Sequence, residues 1–315
     1  MFFLLFIAYS FNLNAAPHYS KLVVFGDSLS DTGNHYGAWL LGELPHPYYQ
    51  NRISNGPVSV DVLAGELGLS AATSGGFYGS GSGQNYAVSG AKARGDTFYD
   101  LIAQIAKFLA AQSHPIDDEA LYVMMVGGND VRGAALLYSQ TAAINDARAA
   151  ADAANEALER VLNAGAKSIL VVNVPDVSKT PETAKRELNR PGITAHTAII
   201  SRAFNARLAL NVVRLEKTYQ VDIAQFDAFK RLNQMIAQPN AYGFSNVNEA
   251  CYHPKQFSYH AQCDFNRFVF FDSIHPTAKV HQVFGLEMAA LANNIQAIQQ
   301  NSFLPAVIQL LLGSD

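Results

Sequence analysis

The sequence predicts an α/β protein with a parallel sheet, arranged as a three-layer α/β/α sandwich. Five short apolar or β-branched runs, at 21–25, 84–88, 121–126, 168–174 and 219–225, alternate with segments of helical pattern. No internal repeat or low-complexity linker interrupts the series. A repeated strand-then-helix order implies right-handed crossovers, which place helices on both faces of one sheet.

The first run, through Val23, Val24 and Phe25, enters a tight turn at Gly26 and reads as a strand. Pro57 opens a predicted helix that runs to Leu67, because proline suits a first helical turn. The Gly/Ser-rich piece from Ser74 to Gly83 reads as a loop before the second strand. Asp100 to Gln112, the Ala-rich span 141–163 and the span 194–217 read as helices between the later strands, and Thr277 to about Gln300 as the closing one. The apolar end, Phe303 to Leu312, is shorter than the roughly 20 residues a membrane span requires and reads as core packing.

The 315 residues are 49% hydrophobic, enough for one substantial core, and residues 17–315 read as a single domain. A net charge of −4, a pI near 6.1 and 15% charged residues offer no basic face, so nucleic acid is excluded as a partner. Residues 1–16 read as a signal peptide: the apolar stretch Met1 to Tyr9 is followed by small residues at Ala15 and Ala16. Export to the periplasm or the medium is the expectation. The two cysteines, Cys251 and Cys263, then read as a disulfide, since two thiols alone make a poor zinc site. Their loop lies just upstream of Asp272 and His275, where it would form a rim or lid.

In open parallel sheets, ligands bind beyond the carboxyl ends of the strands. Ser28 follows the first strand, Gly90 the second and Asn129 the third, so three separate segments meet at one edge. Ser28 is a candidate nucleophile outside the Gly-x-Ser-x-Gly elbow of α/β-hydrolases. Acyl transfer needs donors aimed at the oxygen that becomes negative, and the Ser28 and Gly90 N–H groups with the Asn129 amide are of that type. The segment Phe271 to Thr277 adds His275 as a general base, with Asp272 three residues earlier to fix its tautomer. Asp27 reads as a turn-organising side chain rather than the acid of that pair. His46, His253 and His260 have no spacing that assembles a metal site. Without Gly-x-Gly-x-x-Gly or Walker motifs, no cofactor is expected.

The run from Phe25 to Asn34, reading Phe-Gly-Asp-Ser-Leu-Ser-Asp-Thr-Gly-Asn, resembles block I of the GDSL, or SGNH, esterases and lipases. Gly90, the Gly-Gly-Asn-Asp at 127–130 and the Asp272/His275 segment complete that family's signatures in order. Asn55-Gly56-Pro57-Val58 and Asn85-Tyr86-Ala87 resemble its secreted bacterial branch of lysophospholipases A and glycerophospholipid-cholesterol acyltransferases. Ser89 departs from the Gly-Gly-Ala common among relatives but leaves Gly90 in place.

The resemblance implies a flavodoxin-like, five-stranded parallel sheet in the order 2-1-3-4-5. It implies Ser28 as nucleophile, Asp272 and His275 as its triad partners, and Ser28, Gly90 and Asn129 as the oxyanion hole, with no metal or cofactor. The implied reaction is hydrolysis of carboxylic esters of (lyso)phospholipids through an acyl-serine, with acyl transfer as a second outcome. The implied chain is a monomer in peripheral contact with membranes or micelles. A carbohydrate O-acetylesterase and a non-catalytic envelope binding protein are the alternatives on the same fold.

Overall fold

A computed structural model of the chain describes residues 19–35, 40, 42–74, 81–113 and 115–312, and of 296–312 only the helical backbone. The expected signal segment 1–16, the side chains of the apolar end and most of the Ser74–Gly83 loop lie outside the described residues. The sheet has four parallel strands in the order β1 (Leu22–Gly26), β2 (Leu121–Met125), β3 (Ser168–Val172) and β4 (Ile223–Phe226). Along β1–β2 the register pairs Leu22 with Leu121 and Gly26 with Met125, which aligns the carboxyl ends at one edge.

The expected second strand is corrected to an extended edge segment. It meets β1 through a single bridge at Val24 and Asn85. Three hydrogen bonds tie it there: Val24 N–H to the Gln84 carbonyl (3.0 Å), Tyr86 N–H to that of Val24 (2.8 Å) and Val88 N–H to that of Gly26 (3.1 Å). On its outer side Asn85 makes a second parallel bridge, to Thr73, through Asn85 N–H to the Ala72 carbonyl and Ser74 N–H to the Asn85 carbonyl, which also accepts from the Asn34 amide. With this segment counted as 2, the order is the expected 2-1-3-4-5.

Both sheet faces are buried, as helices on two sides require. Val23, Phe25, Tyr122, Met124, Ile169 and Val171 point into one core with α2 (Leu101–Ala110), α4 (Gln140–Asn163) and α6 (Ile193–Tyr219). The alternate residues Leu22, Val24, Val123, Met125 and Leu170 point into a second core with α1 (Ser59–Glu66), α7 (Ala228–Ala237) and α8 (Ala278–Leu312).

Several predicted boundaries shift. The first helix begins at Ser59 rather than Pro57, because Val58 is extended and its N–H donates to the Asp61 carboxylate. Asp100 is an extended N-cap whose carboxylate binds the Lys92 and Thr97 N–H groups, so that helix begins one residue later. The fifth predicted run starts late: helix α6 continues to Tyr219, Gln220 turns with φ 54°, and the strand begins at Ile223. Helix α3 (Gly128–Ala134) occupies the Gly-Gly-Asn-Asp motif, and α5 (Pro181–Glu187) follows β3. Strands β5 (Asn246–Ala250) and β8 (Phe268–Phe270) pair beyond the main sheet, and β6 (Tyr252–His253) pairs with β7 (Ser258–Tyr259).

Candidate active site

Strand β1 delivers Ser28 through a turn that only glycine permits at its start. A Cβ on Gly26 would stand 2.3 Å from the Met125 carbonyl oxygen of the neighbouring strand. Gly26 N–H donates to Gln104 Oε1 and its carbonyl accepts from Gln104 Nε2, both at 2.8 Å, which locks the strand end onto α2. Ser30 and Asp31 N–H both donate to the Asp27 carbonyl at 3.0 Å, closing a single turn around Ser28.

Ser28 Oγ lies 2.9 Å from His275 Nε2. On the other side of the ring, His275 Nδ1 is 2.8 Å from Asp272 Oδ2. A carboxylate can only accept, so Nδ1 carries the proton and Nε2 faces the serine as a base. Burial pushes the Asp272 carboxyl up, but the His275 ring and the N–H groups of Ile274 and His275 more than offset it, holding the group below the ordinary carboxyl range. Those N–H groups each lie 2.8 Å from Asp272 Oδ1, so the acid fixes its own loop as well as the ring.

Asn129 lines the same cavity as Ser28, and Gly90 follows the edge segment whose Val88 N–H donates to the Gly26 carbonyl. Gly90 has φ +90°, a conformation that costs glycine little. Among the described residues, neither the Ser28 nor the Gly90 N–H has a hydrogen-bond partner. Asn129 sits in the first turn of α3, its Nδ2 donating to the Ala91 carbonyl at 3.0 Å and its Oδ1 accepting from Arg132 Nη1 at 3.2 Å.

Beneath this edge lies a polar frame that sequence reasoning missed. Asp31, fully buried, accepts from Gly33 N–H (2.8 Å), Asn34 N–H (2.6 Å), Ser89 N–H (2.7 Å) and Ser89 Oγ–H (2.8 Å). Asp31 therefore anchors Ser89, the residue before Gly90 and the one that departs from the family pattern. The Asn85 amide donates to the Ser30 carbonyl at 2.8 Å and to Thr32 Oγ1 at 3.0 Å, tying the edge segment to the Ser28 turn. The available signal was the density of Asp and Asn immediately after two strand ends.

A cavity of about 70 Å³ opens beside Ser28 and His275. Leu29, Val177, Leu232, Ile274, Val280 and Phe284 make its apolar wall, with Asn129 and Arg132 on the polar side. Asp27 also faces it; burial pushes its carboxyl up to about 7, and its Oδ1 accepts from Leu29 N–H at 3.1 Å. Asp27 thus organises the turn, while Asp272 is the carboxylate on the histidine.

Cys251 and Cys263 are joined by a disulfide. Cys251 N–H and Tyr252 N–H donate to the Phe270 and Phe271 carbonyls, so the bonded loop hangs on the strand that leads to Asp272. His46 Nδ1 meets the Tyr259 hydroxyl at 3.1 Å, and His260 Nε2 is 3.4 Å from Glu249 Oε2. Among the described residues, no group of three or more His, Cys, Asp or Glu side chains is arranged to hold a metal ion.

A serine, a histidine and an aspartate in hydrogen-bond series at the carboxyl edge of a doubly wound sheet form the arrangement that serine hydrolases use. The chain belongs to the GDSL-like lipase/acylhydrolase family, whose model matches residues 22–288, and it is a carboxylic ester hydrolase. It is 33% identical over 247 residues to a phosphatidylcholine-sterol acyltransferase of Aeromonas hydrophila, covering 76% of this chain and 67% of that one. It is 33% identical over 185 residues to lipase 1 of Photorhabdus luminescens, covering 58% of this chain but 26% of that protein. Among solved structures it resembles a carbohydrate acetylesterase from Sinorhizobium meliloti, with a TM-score of 0.47, 15% identity, and coverage of 88% of this chain and 99% of that one.

Proposed function

We propose that the chain is an exported esterase/lipase acting on carboxylic esters of (lyso)phospholipids, with Ser28, Asp272 and His275 as its triad. The observation that carries this reading is the unbroken contact series Ser28–His275–Asp272 opening onto an apolar cavity. Ser28 Oγ attacks the ester carbonyl carbon while its proton passes to His275 Nε2. The carbonyl oxygen becomes negative against the Ser28 and Gly90 N–H groups and the Asn129 amide. As the tetrahedral intermediate collapses, the ester C–O bond breaks and the leaving alcohol takes the proton from His275. Water then repeats the sequence on the acyl-serine, yielding the acid and free Ser28. An alcohol in place of water gives acyl transfer, an outcome supported by the similarity to an acyltransferase.

The disulfide supports an oxidising compartment. We propose that residues 1–16 direct export and that 17–315 fold as one catalytic domain. Substrates of this class aggregate, so the chain is proposed to work as a monomer in peripheral contact with membranes or micelles.

One observation favours a second reading. A cavity of about 70 Å³ is small beside the ~300–1,000 Å³ of sites for drug-sized ligands, and it admits a short acyl group more readily than a long one. A carbohydrate O-acetylesterase would use it so. Fatty-acid release from lysophosphatidylcholine, measured beside p-nitrophenyl acetate hydrolysis in wild type and Ser28→Ala, decides between them. Long-chain release lost in Ser28→Ala is the expected result. Activity on acetate alone selects the second reading, and activity surviving Ser28→Ala removes the mechanism.

A further inference from the structure

The side-chain amide of Asn129 is useful to an oxyanion only if its N–H₂ end faces the reacting carbonyl. An amide has nearly the same shape either way round, so its partners decide. Ala91 offers a carbonyl, which can only accept, and binds Nδ2 at 3.0 Å. Arg132 offers a guanidinium, which can only donate, and binds Oδ1 at 3.2 Å. The two contacts specify one orientation, and among the described residues no partner takes the second N–H of Nδ2.

Arg132 is itself held. Its Nε lies 3.0 Å from Glu182 Oε2 and its Nη2 lies 2.9 Å from Glu182 Oε1, a two-pronged pair between α3 and α5. Arg186 reaches the same Oε1 at 3.3 Å. Glu182 N–H donates to the Ser273 carbonyl at 2.8 Å, and Ser273 lies between Asp272 and His275. One strut therefore runs from the amide of Asn129 to the loop that carries the base. The Arg132 side chain is 29% exposed and that of Glu182 24%, so the pair is shielded enough to hold a fixed geometry at the cavity wall.

We propose that Arg132 is a positioning residue for ester hydrolysis: it orients the Asn129 amide toward the oxyanion and, through Glu182, ties that amide to the Asp272–His275 loop. This rests on the reading of Asn129 as an oxyanion donor. Because the strut acts on a group engaged by the tetrahedral intermediate, its loss lowers kcat and leaves KM near its wild-type value.

The test is a double-mutant cycle on p-nitrophenyl acetate, a soluble substrate, in the full chain. Arg132→Met is expected to lower kcat about tenfold or more, short of the ~10²–10³ that outright loss of one oxyanion donor costs. Glu182→Gln, which keeps one acceptor for the guanidinium, is expected to fall between wild type and Arg132→Met. In an Asn129→Ala background, Arg132→Met should change kcat by less than about threefold, since the group it positions is gone. A merely structural role would instead cost the same factor in both backgrounds, and that outcome overturns the proposal. So does a rise in KM at unchanged kcat. Should Arg132→Met fail to fold by thermal melting, Glu182→Gln carries the same cycle. If Asn129→Ala alone leaves kcat within about twofold of wild type, the oxyanion reading falls and takes this inference with it, while the triad reading stands on Ser28→Ala.

Discussion

His275 Nε2 rests 2.9 Å from Ser28 Oγ although 247 positions separate the two residues. The contact depends on Asp272 at the far side of the ring, where two carboxylate oxygens face Nδ1 at 3.0 and 2.8 Å. Asp272→Asn is the incisive variant. The amide oxygen can still accept the Ile274 and His275 N–H groups at Oδ1, so the loop is retained. Its NH₂, however, meets Nδ1 as a donor, which moves the ring proton to Nε2 and removes the base from Ser28. The expected fall in kcat is about 10³–10⁴, with a thermal midpoint close to wild type. A fall under tenfold on p-nitrophenyl acetate would show that Asp272 is not the orienting acid.

Asp31 holds the Ser28 turn to Ser89, the residue before Gly90. Its Oδ1 takes the Gly33 and Asn34 N–H groups and its Oδ2 takes both donors of Ser89. Asp31→Asn preserves the first pair but sets an NH₂ against Ser89 N–H, so the strain falls on the residue next to Gly90. Leaving a buried donor unsatisfied costs about 1–3 kcal/mol, and denaturant unfolding should register a loss of that size. Ester turnover should fall with it by about tenfold or more, because Gly90 moves. Ser89→Ala loses only the hydroxyl contact and should be milder on both measurements. Equal effects of Asp31→Asn and Ser89→Ala would remove the special role of the Ser89 N–H.

Ser28, Asn129 and His275, which short motifs singled out, line one cavity, because each lies within a few positions of a strand end and the ends of parallel strands share one edge. The alternation of apolar runs was enough to place β1 to β4. It overreached at 84–88, where pairing on either side is limited to one bridge, to Val24 and to Thr73, and the Asn34 amide takes the Asn85 and Ala87 carbonyls. It also overreached at 219–221, where Tyr219 packs as the end of α6 and the turn waits for Gln220. The Arg132–Glu182 and Asp31–Ser89 contacts span 50 and 58 positions, and although Asp31 and Ser89 lie in recognised motifs, no motif pairs them. They follow from how α3, α5 and the Ser28 turn pack, which local pattern does not encode.

Asp27 makes a prediction about stability in which the sign matters. Burial pushes its carboxyl up to about 7 from an ordinary value of 3.8, with Asp130 adding to the rise while Leu29 N–H, His275 and Arg132 oppose it. Between those values the folded chain holds a proton that the unfolded chain has released. The stabilisation is therefore complete below the ordinary carboxyl value and is lost as pH rises through about 7. His281 works in the opposite direction: burial lowers its ring to about 3, so its contribution is present above the ordinary imidazole value and fades in acid. Comparing a variant with wild type at each pH cancels His281. Asp27→Asn keeps the acceptor for Leu29 N–H and has nothing to ionise. Its stability relative to wild type, from urea unfolding at pH 5, 6, 7 and 8, should improve as pH rises to about 7 and then level off. Parallel profiles would mean that Asp27 ionises normally and that its burial carries no linked proton.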